Sequence, residues 1–248
     1  MNAKLNQRIT LLNRLSFAGL LSLIAMIWFF APVELNMGNV HRILYFHVGT
    51  AWVAAVTFFI ALIAGILYLR SRNDMWDILS MGSVEIGLVF FTITIAAGSV
   101  WAKSTWGEWW VWSPRLILVT VMWLVYVAYF VLRGAVDEKE KRARFAAVYV
   151  GLAFVTVIVT YMSIRIFRDI HPVVVGGVTE SVAAANAAEG NSDFSSGIES
   201  MRMGLTLAWA CVVFSLIYVA WLAHRYRLQR LLDQVELLKS RVMTRLQG

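Results

Sequence analysis

The sequence predicts an all-α integral membrane protein: a bundle of six transmembrane helices with both termini on the cytoplasmic side. A cytoplasmic amphipathic helix follows the bundle. Three observations predict this: an apolar composition, six apolar runs of spanning length, and a one-sided distribution of basic residues. Of 248 residues, 60% are apolar and only 15% are charged, whereas a soluble domain carries roughly a quarter charged residues. The mean hydropathy is +0.69. Intrinsic disorder, a collagen-like fibre and an ordinary soluble enzyme are excluded by this composition.

A bilayer core needs about 20 mostly apolar residues per helix. Residues 15–32, 43–69, 78–100, 116–132, 145–164 and 204–223 meet that requirement. The first run follows Lys4, Arg8 and Arg14, as a signal peptide would, but it is long and ends in bulky Phe29 and Phe30. It has no small-residue cleavage site, so it reads as a retained helix. With the N-terminus inside, the inner segments hold sixteen of the 22 Lys and Arg: three at the N-terminus, then Arg70 and Arg72, five over 133–144 and six over 225–245. That bias sets an N-in, C-in orientation and accounts for the net charge of +7 without nucleic acid. The organisation expected is a membrane domain over 1–223 and a cytoplasmic helix over 224–248. In the latter, Leu228, Leu231, Leu232, Val235, Leu238, Val242 and Leu246 recur at intervals of three and four. Such a helix lies on the bilayer or docks on a partner helix.

Three outer segments remain, 31–42, 101–115 and 165–203. The long one is rich in Ala, Gly, Ser and Asn over 176–200, with Glu180, Glu189, Asp193 and Glu199 and no Lys or Arg. Such composition buries little apolar surface and predicts local mobility.

The chemical signal is densest in segment 101–115. Five of the 11 Trp fall there: Trp101, Trp106, Trp109, Trp110 and Trp112. An aromatic belt at headgroup level is one reading, although a belt distributes Trp over all helix ends. Four indoles within seven residues, with Gly107 and Pro114, predict instead a flat apolar platform edged by N–H donors. A large planar ligand suits it, with Arg115 available for an anionic group. His47 stands just inside the second span, and His171 follows the fifth. A lone His at either place is commonly a packing residue; two at matching depth beside a Trp platform point to axial ligands for haem iron. His41 and His224 read as structural. Glu85 is the one acid inside an apolar run and has no partner visible in the sequence. The single Cys211 excludes a thiolate metal cluster, and without a C-x-x-C-H site the chain is no c-type cytochrome. No nucleotide loop, nucleophile triad or H-E-x-x-H motif occurs, so catalytic turnover is not expected.

The run WGEWWVWSPRL resembles the W-G-x-W-W-x-W-D-x-R-L-T motif of the haem-handling proteins of cytochrome c biogenesis. YFHVGTAW around His47 and RDIHP around His171 are similar to the family's two histidine segments. With six helices in about 250 residues, nearly the whole chain looks like the cytochrome c maturation protein C family. That resemblance implies a multi-pass protein of the bacterial cytoplasmic (inner) membrane, with His47 and His171 as axial ligands of haem (haem b, as cargo). Trp106, Trp109, Trp110 and Trp112 then lie against the porphyrin and Arg115 near a propionate. It also implies delivery to a membrane-anchored periplasmic haem chaperone. The further partners implied are the ATPase and membrane subunits of an ABC transporter and a small single-helix membrane protein. Three positions depart from the pattern: Ser113 for Asp, Ile117 for Thr, and Gly49 for Pro. Without the Asp, the loop is expected to be held less firmly and Arg115 to be freer. A membrane electron carrier of cytochrome b type, and a permease or scaffold subunit that binds no haem, remain alternative classes.

Overall fold

The computed structural model describes residues 3–34, 37–167, 171, 198 and 200–247. Its elements are α1 (Ala3–Ala25), prolonged by a π-turn (Met26–Phe30), a short 3-10 turn (Asn39–Arg42), α2 (Ile43–Ser71), α3 (Asp74–Trp106), α4 (Pro114–Gly134), α5 (Lys139–Ile166) and α6 (Met201–Gln247). Among the described residues there are no strands, and six helices are long and apolar enough to cross a membrane. Helices follow from the solvent: in hydrocarbon every backbone N–H and C=O must be paired within its own segment. Most of the long outer segment, 165–203, lies outside the described residues, and so does its expected mobility.

Every helix is longer than its apolar run, because the hydrogen-bond ladder continues until a cap stops it. Arg72 adopts the left-handed conformation (φ 54°) and its N–H returns to Tyr68 O at 2.8 Å. Asn73 then caps α3, its Oδ1 accepting from Met75 N at 3.0 Å, and Asp74 and Asp77 occupy the positively polarised first turn. At the other end α3 runs on through Trp101 to Trp106 and stops at Gly107 (φ 79°), whose carbonyl accepts from Lys103 Nζ at 2.6 Å. The irregular part of segment 101–115 is therefore only 107–113. Pro32 lies just past the end of the first span, where the π-turn closes on the Ala31 N–H to Met26 O bond.

The tight 72–73 turn makes α2 and α3 an antiparallel pair, and theirs is the most extensive packing in the molecule. α2 also packs on α5 and α6, α4 on α5, and α1 on α6. Hydrocarbon tails are as apolar as Leu, so close fit and hydrogen bonds carry this association. A Cβ at Gly87 would stand 2.8 Å from Phe58 Cε1, and Phe58 stacks on Tyr126 at 3.6 Å. Ion pairs also link elements. Arg133 of α4 holds Asp77 of α3 through two bonds of 2.6 and 2.9 Å, both side chains nearly buried. Glu85, which has no partner visible in the sequence, is bound by Arg225 Nε of α6 at 2.5 Å.

α6 continues without a break across Ala223, so the last span and the amphipathic segment form one helix of 47 residues.

Candidate functional site

At the end of the bundle that carries loop 107–113, helices α2, α3, α4 and α5 part around a cavity. With its open mouth it takes in about 850 Å³. His47, Trp106, Trp109, Trp110, Arg115 and His171 all line it. Six of the seven residues predicted as a site are thus brought together from separate stretches of chain.

His47 occupies the second turn of α2, which faces α3. Its Nδ1 lies 2.9 Å from Thr94 O. A carbonyl oxygen can only accept, so Nδ1 carries the proton and Nε2 keeps its lone pair. The same carbonyl is the helical acceptor for the N–H of Gly98, four residues on. This brings the imidazole against Gly98, where a Cβ would stand 2.7 Å from Cε1 and 3.0 Å from Nδ1. Thr94 Oγ1 donates to Thr50 Oγ1 at 2.9 Å, and Thr50 donates to Phe46 O at 2.8 Å, tying α3 to α2 at the histidine. The His171 ring centroid lies 6.1 Å from that of His47, with 40° between the ring planes. Arg115, one residue into α4, donates from one guanidinium nitrogen to Thr160 O of α5 at 3.2 Å.

The indoles do not form the flat platform expected. Trp101 and Trp106 meet edge to face at 5.2 Å and 83°, and Trp110 and Trp112 at 6.0 Å and 76°. Edge-to-face contact is the favoured arrangement of aromatic quadrupoles, and it turns neighbouring rings across one another. Trp112 is the predicted residue that falls outside the cavity lining; it packs on the edge of Trp110 and is 69% exposed. Trp101 takes a lining place instead, buried in the last turns of α3. Trp101 Nε1 and Trp110 Nε1 are both buried donors without an acceptor. Trp101, Thr94 and Gly98 were missed as site residues, although their spacing of four and then three puts them on one helix face, a legible signal.

Ser113 is the N-cap of α4. Its backbone is extended, its Oγ faces Leu116 N at 3.5 Å, and Pro114 fills the first helical position. Ser and Asp are comparably good caps, so Ser113 fills a local role that the motif's Asp can also fill. His41 is buried outside the cavity, edge to face with Tyr45 at 5.8 Å. His224 Nε2 lies 3.1 Å from Asn13 Oδ1 and joins α6 to α1. Among the described residues no three His, Cys, Asp or Glu side chains gather as a metal-ion site.

Fold and site together define a class: a multi-pass helical membrane protein with a cavity of histidines and tryptophans at one end of its bundle. The family model described as heme exporter protein C matches residues 3–232, and the chain belongs to that family. Heme exporter protein C of Escherichia coli strain K12 is 32% identical over 143 residues, 57% of this chain and 58% of that protein. The protein of the same name from Rhodobacter capsulatus is 29% identical over 150 residues, 59% of this chain and 62% of the relative. A putative cytochrome c biosynthesis ccmC-like mitochondrial protein of Marchantia polymorpha is 26% identical over 141 residues, 57% of this chain and 59% of that protein. The chain thus spans about three fifths of the length of the curated relatives it matches.

Proposed function

We propose that the protein binds haem as cargo in this cavity, with His47 and His171 on the two axial positions of the iron, and hands it to a haem chaperone. The observation that carries the reading is the pair of imidazoles 6.1 Å apart. Two imidazoles bonded on opposite sides of one iron, at about 2 Å each, have ring centres roughly 6 Å apart. Two nitrogen donors alone make a poor site for a bare metal ion, but they complete an iron whose four equatorial positions a porphyrin already fills. The His47 tautomer leaves a lone pair, not a proton, on Nε2 for an iron to accept.

The surroundings support the same cargo. Trp106, Trp109 and Trp110 supply apolar surface for the porphyrin, whose burial contributes at about 25 cal/mol per Å². The acceptorless N–H groups of Trp101 and Trp110 and the guanidinium of Arg115 suit carboxylates such as the propionates. Trp109 is 58% exposed, so one wall of the site faces outward, as release to a partner requires.

The sixteen-to-six division of basic residues supports N-in, C-in insertion in a bacterial inner membrane, with loop 107–113 and the cavity on the periplasmic side and residues 224–248 in the cytoplasm. The chaperone is membrane-anchored and periplasmic. The wider assembly comprises an ABC transporter ATPase, its membrane subunit and a small single-helix protein, with no nucleic acid and no catalytic turnover by this chain. The visible spectrum of the purified protein tests the binding step. A Soret band that survives purification, or forms on haem addition, is expected; no band after supplementation removes the proposal and leaves a scaffold role.

A further inference from the structure

The last helix carries a face that haem binding does not use. Beyond Ala223, α6 continues through residues 224–247 with no Gly or Pro to bend it. Along it Leu228, Leu231, Val235, Leu238 and Val242 alternate intervals of three and four, the a and d seam of a two-stranded coiled coil. These five side chains are between 38% and 61% exposed. The opposite, polar face is the one turned to the bundle: Gln229, Asp233 and Glu236 line a charged cleft with Asp74, Lys139 and Arg142. Arg225, Gln229 and Asp233 are joined along it by bonds of 3.2 and 3.1 Å. A helix folding onto its own domain presents the reverse arrangement, apolar side inward. Because the segment is continuous with a membrane span, its stripe points away from the bundle rather than lying along the bilayer surface.

We infer that this stripe docks one helix of a partner protein, amphipathic and acidic along both flanks. The charges beside the seam select that occupant. In heptad register the flanking g positions are Arg227, Gln234 and Arg241, and the e positions are Leu232 and Lys239. None is acidic. A second copy of this chain, parallel in the same membrane, would set Arg227 against Leu232 and Gln234 against Lys239, with no attractive pair on either flank. A partner with Glu at e and g pairs with Arg227, Lys239 and Arg241 while its apolar residues cover the seam. The family match ends at residue 232, and three of the five seam residues lie beyond it.

The test uses the full-length protein in nanodiscs and two synthetic helices of a few heptads, both with Leu at a and d. One carries Glu at e and g, the other Lys. The Glu peptide is expected to bind saturably and the Lys peptide not. Leu231→Asp with Leu238→Asp should weaken the Glu peptide at least about tenfold, while helix content and haem content stay unchanged, since neither residue touches the cavity. Arg227→Glu with Arg241→Glu should reverse the preference between peptides. Equal binding of both peptides, or of neither, overturns the assignment. So does a protein dimer that dissociates with the two Leu→Asp changes, which makes a second copy the occupant. Protection of the segment from protease by anionic lipid alone, without peptide, overturns it in favour of the bilayer.

Discussion

At the scale of single residues, the site depends on what holds His47 as much as on His47 itself. Gly98 leaves the space that the imidazole edge occupies, since a methyl there would come within 2.7 Å of it. Gly98→Ala is therefore expected to displace the ring from Thr94 O and lower haem retention several-fold, with a broadened Soret band. Alanine suits a helix better than glycine by roughly 1 kcal/mol, so thermal stability of the apo-protein should not fall in proportion. Ser113 gives a second prediction. Ser113→Ala removes the α4 cap and should cost about 1 kcal/mol, read as a lower melting midpoint. Ser113→Asp keeps the cap and should leave both midpoint and haem content near their starting values. Loss of haem with the Asp variant would place residue 113 against the ligand instead of under the loop. Histidine, tryptophan and arginine announce their chemistry in sequence, so His47, His171, Trp106, Trp109, Trp110 and Arg115 were legible. Trp101, Thr94 and Gly98 were harder to read because their role depends on which face of α3 meets α2. The turning away of Trp112 was hidden for a similar reason: ring-on-ring geometry is decided in three dimensions.

At the scale of elements, apolar runs locate helices well and their ends poorly. The six runs each became a helix, but α3 starts four residues before its run and ends six after it. Caps at Asn73, Gly107 and Ser113, not hydropathy, decide those limits. The Arg133–Asp77 pair between α4 and α3 is nearly buried at both partners, and pairs of this kind cannot be read from sequence separation. Breaking such a pair leaves one charge uncompensated, at a cost of about 3–5 kcal/mol, whereas replacing both partners with apolar groups is close to neutral. Arg133→Met should accordingly destabilise strongly, and adding Asp77→Leu should restore most of the loss, as measured by the thermal midpoint in detergent. Equal damage from the single and double variants would mean that Arg133 acts through Tyr129 rather than Asp77.

For the whole molecule, the proposed delivery depends on the proposed orientation in the membrane. Reporter fusions after Arg72 and after Glu140 should read as cytoplasmic, and fusions after Glu108 and after Asn191 as periplasmic. A periplasmic reading at Glu140 would put the cavity on the cytoplasmic side and remove any route to a periplasmic acceptor. The most direct test of the central claim, one haem held between two histidines, is the low-spin ferric spectrum of haem-loaded protein, by absorption and electron paramagnetic resonance. It is compared across the parent, His47→Ala, His171→Ala and His41→Ala proteins, each with and without imidazole. Bis-imidazole ligation is predicted for the parent and for His41→Ala. Each of the other two variants should lose that signature and regain it in part when imidazole occupies the vacated position. An unchanged signature in either His47→Ala or His171→Ala, or an equal loss in His41→Ala, would contradict the claim.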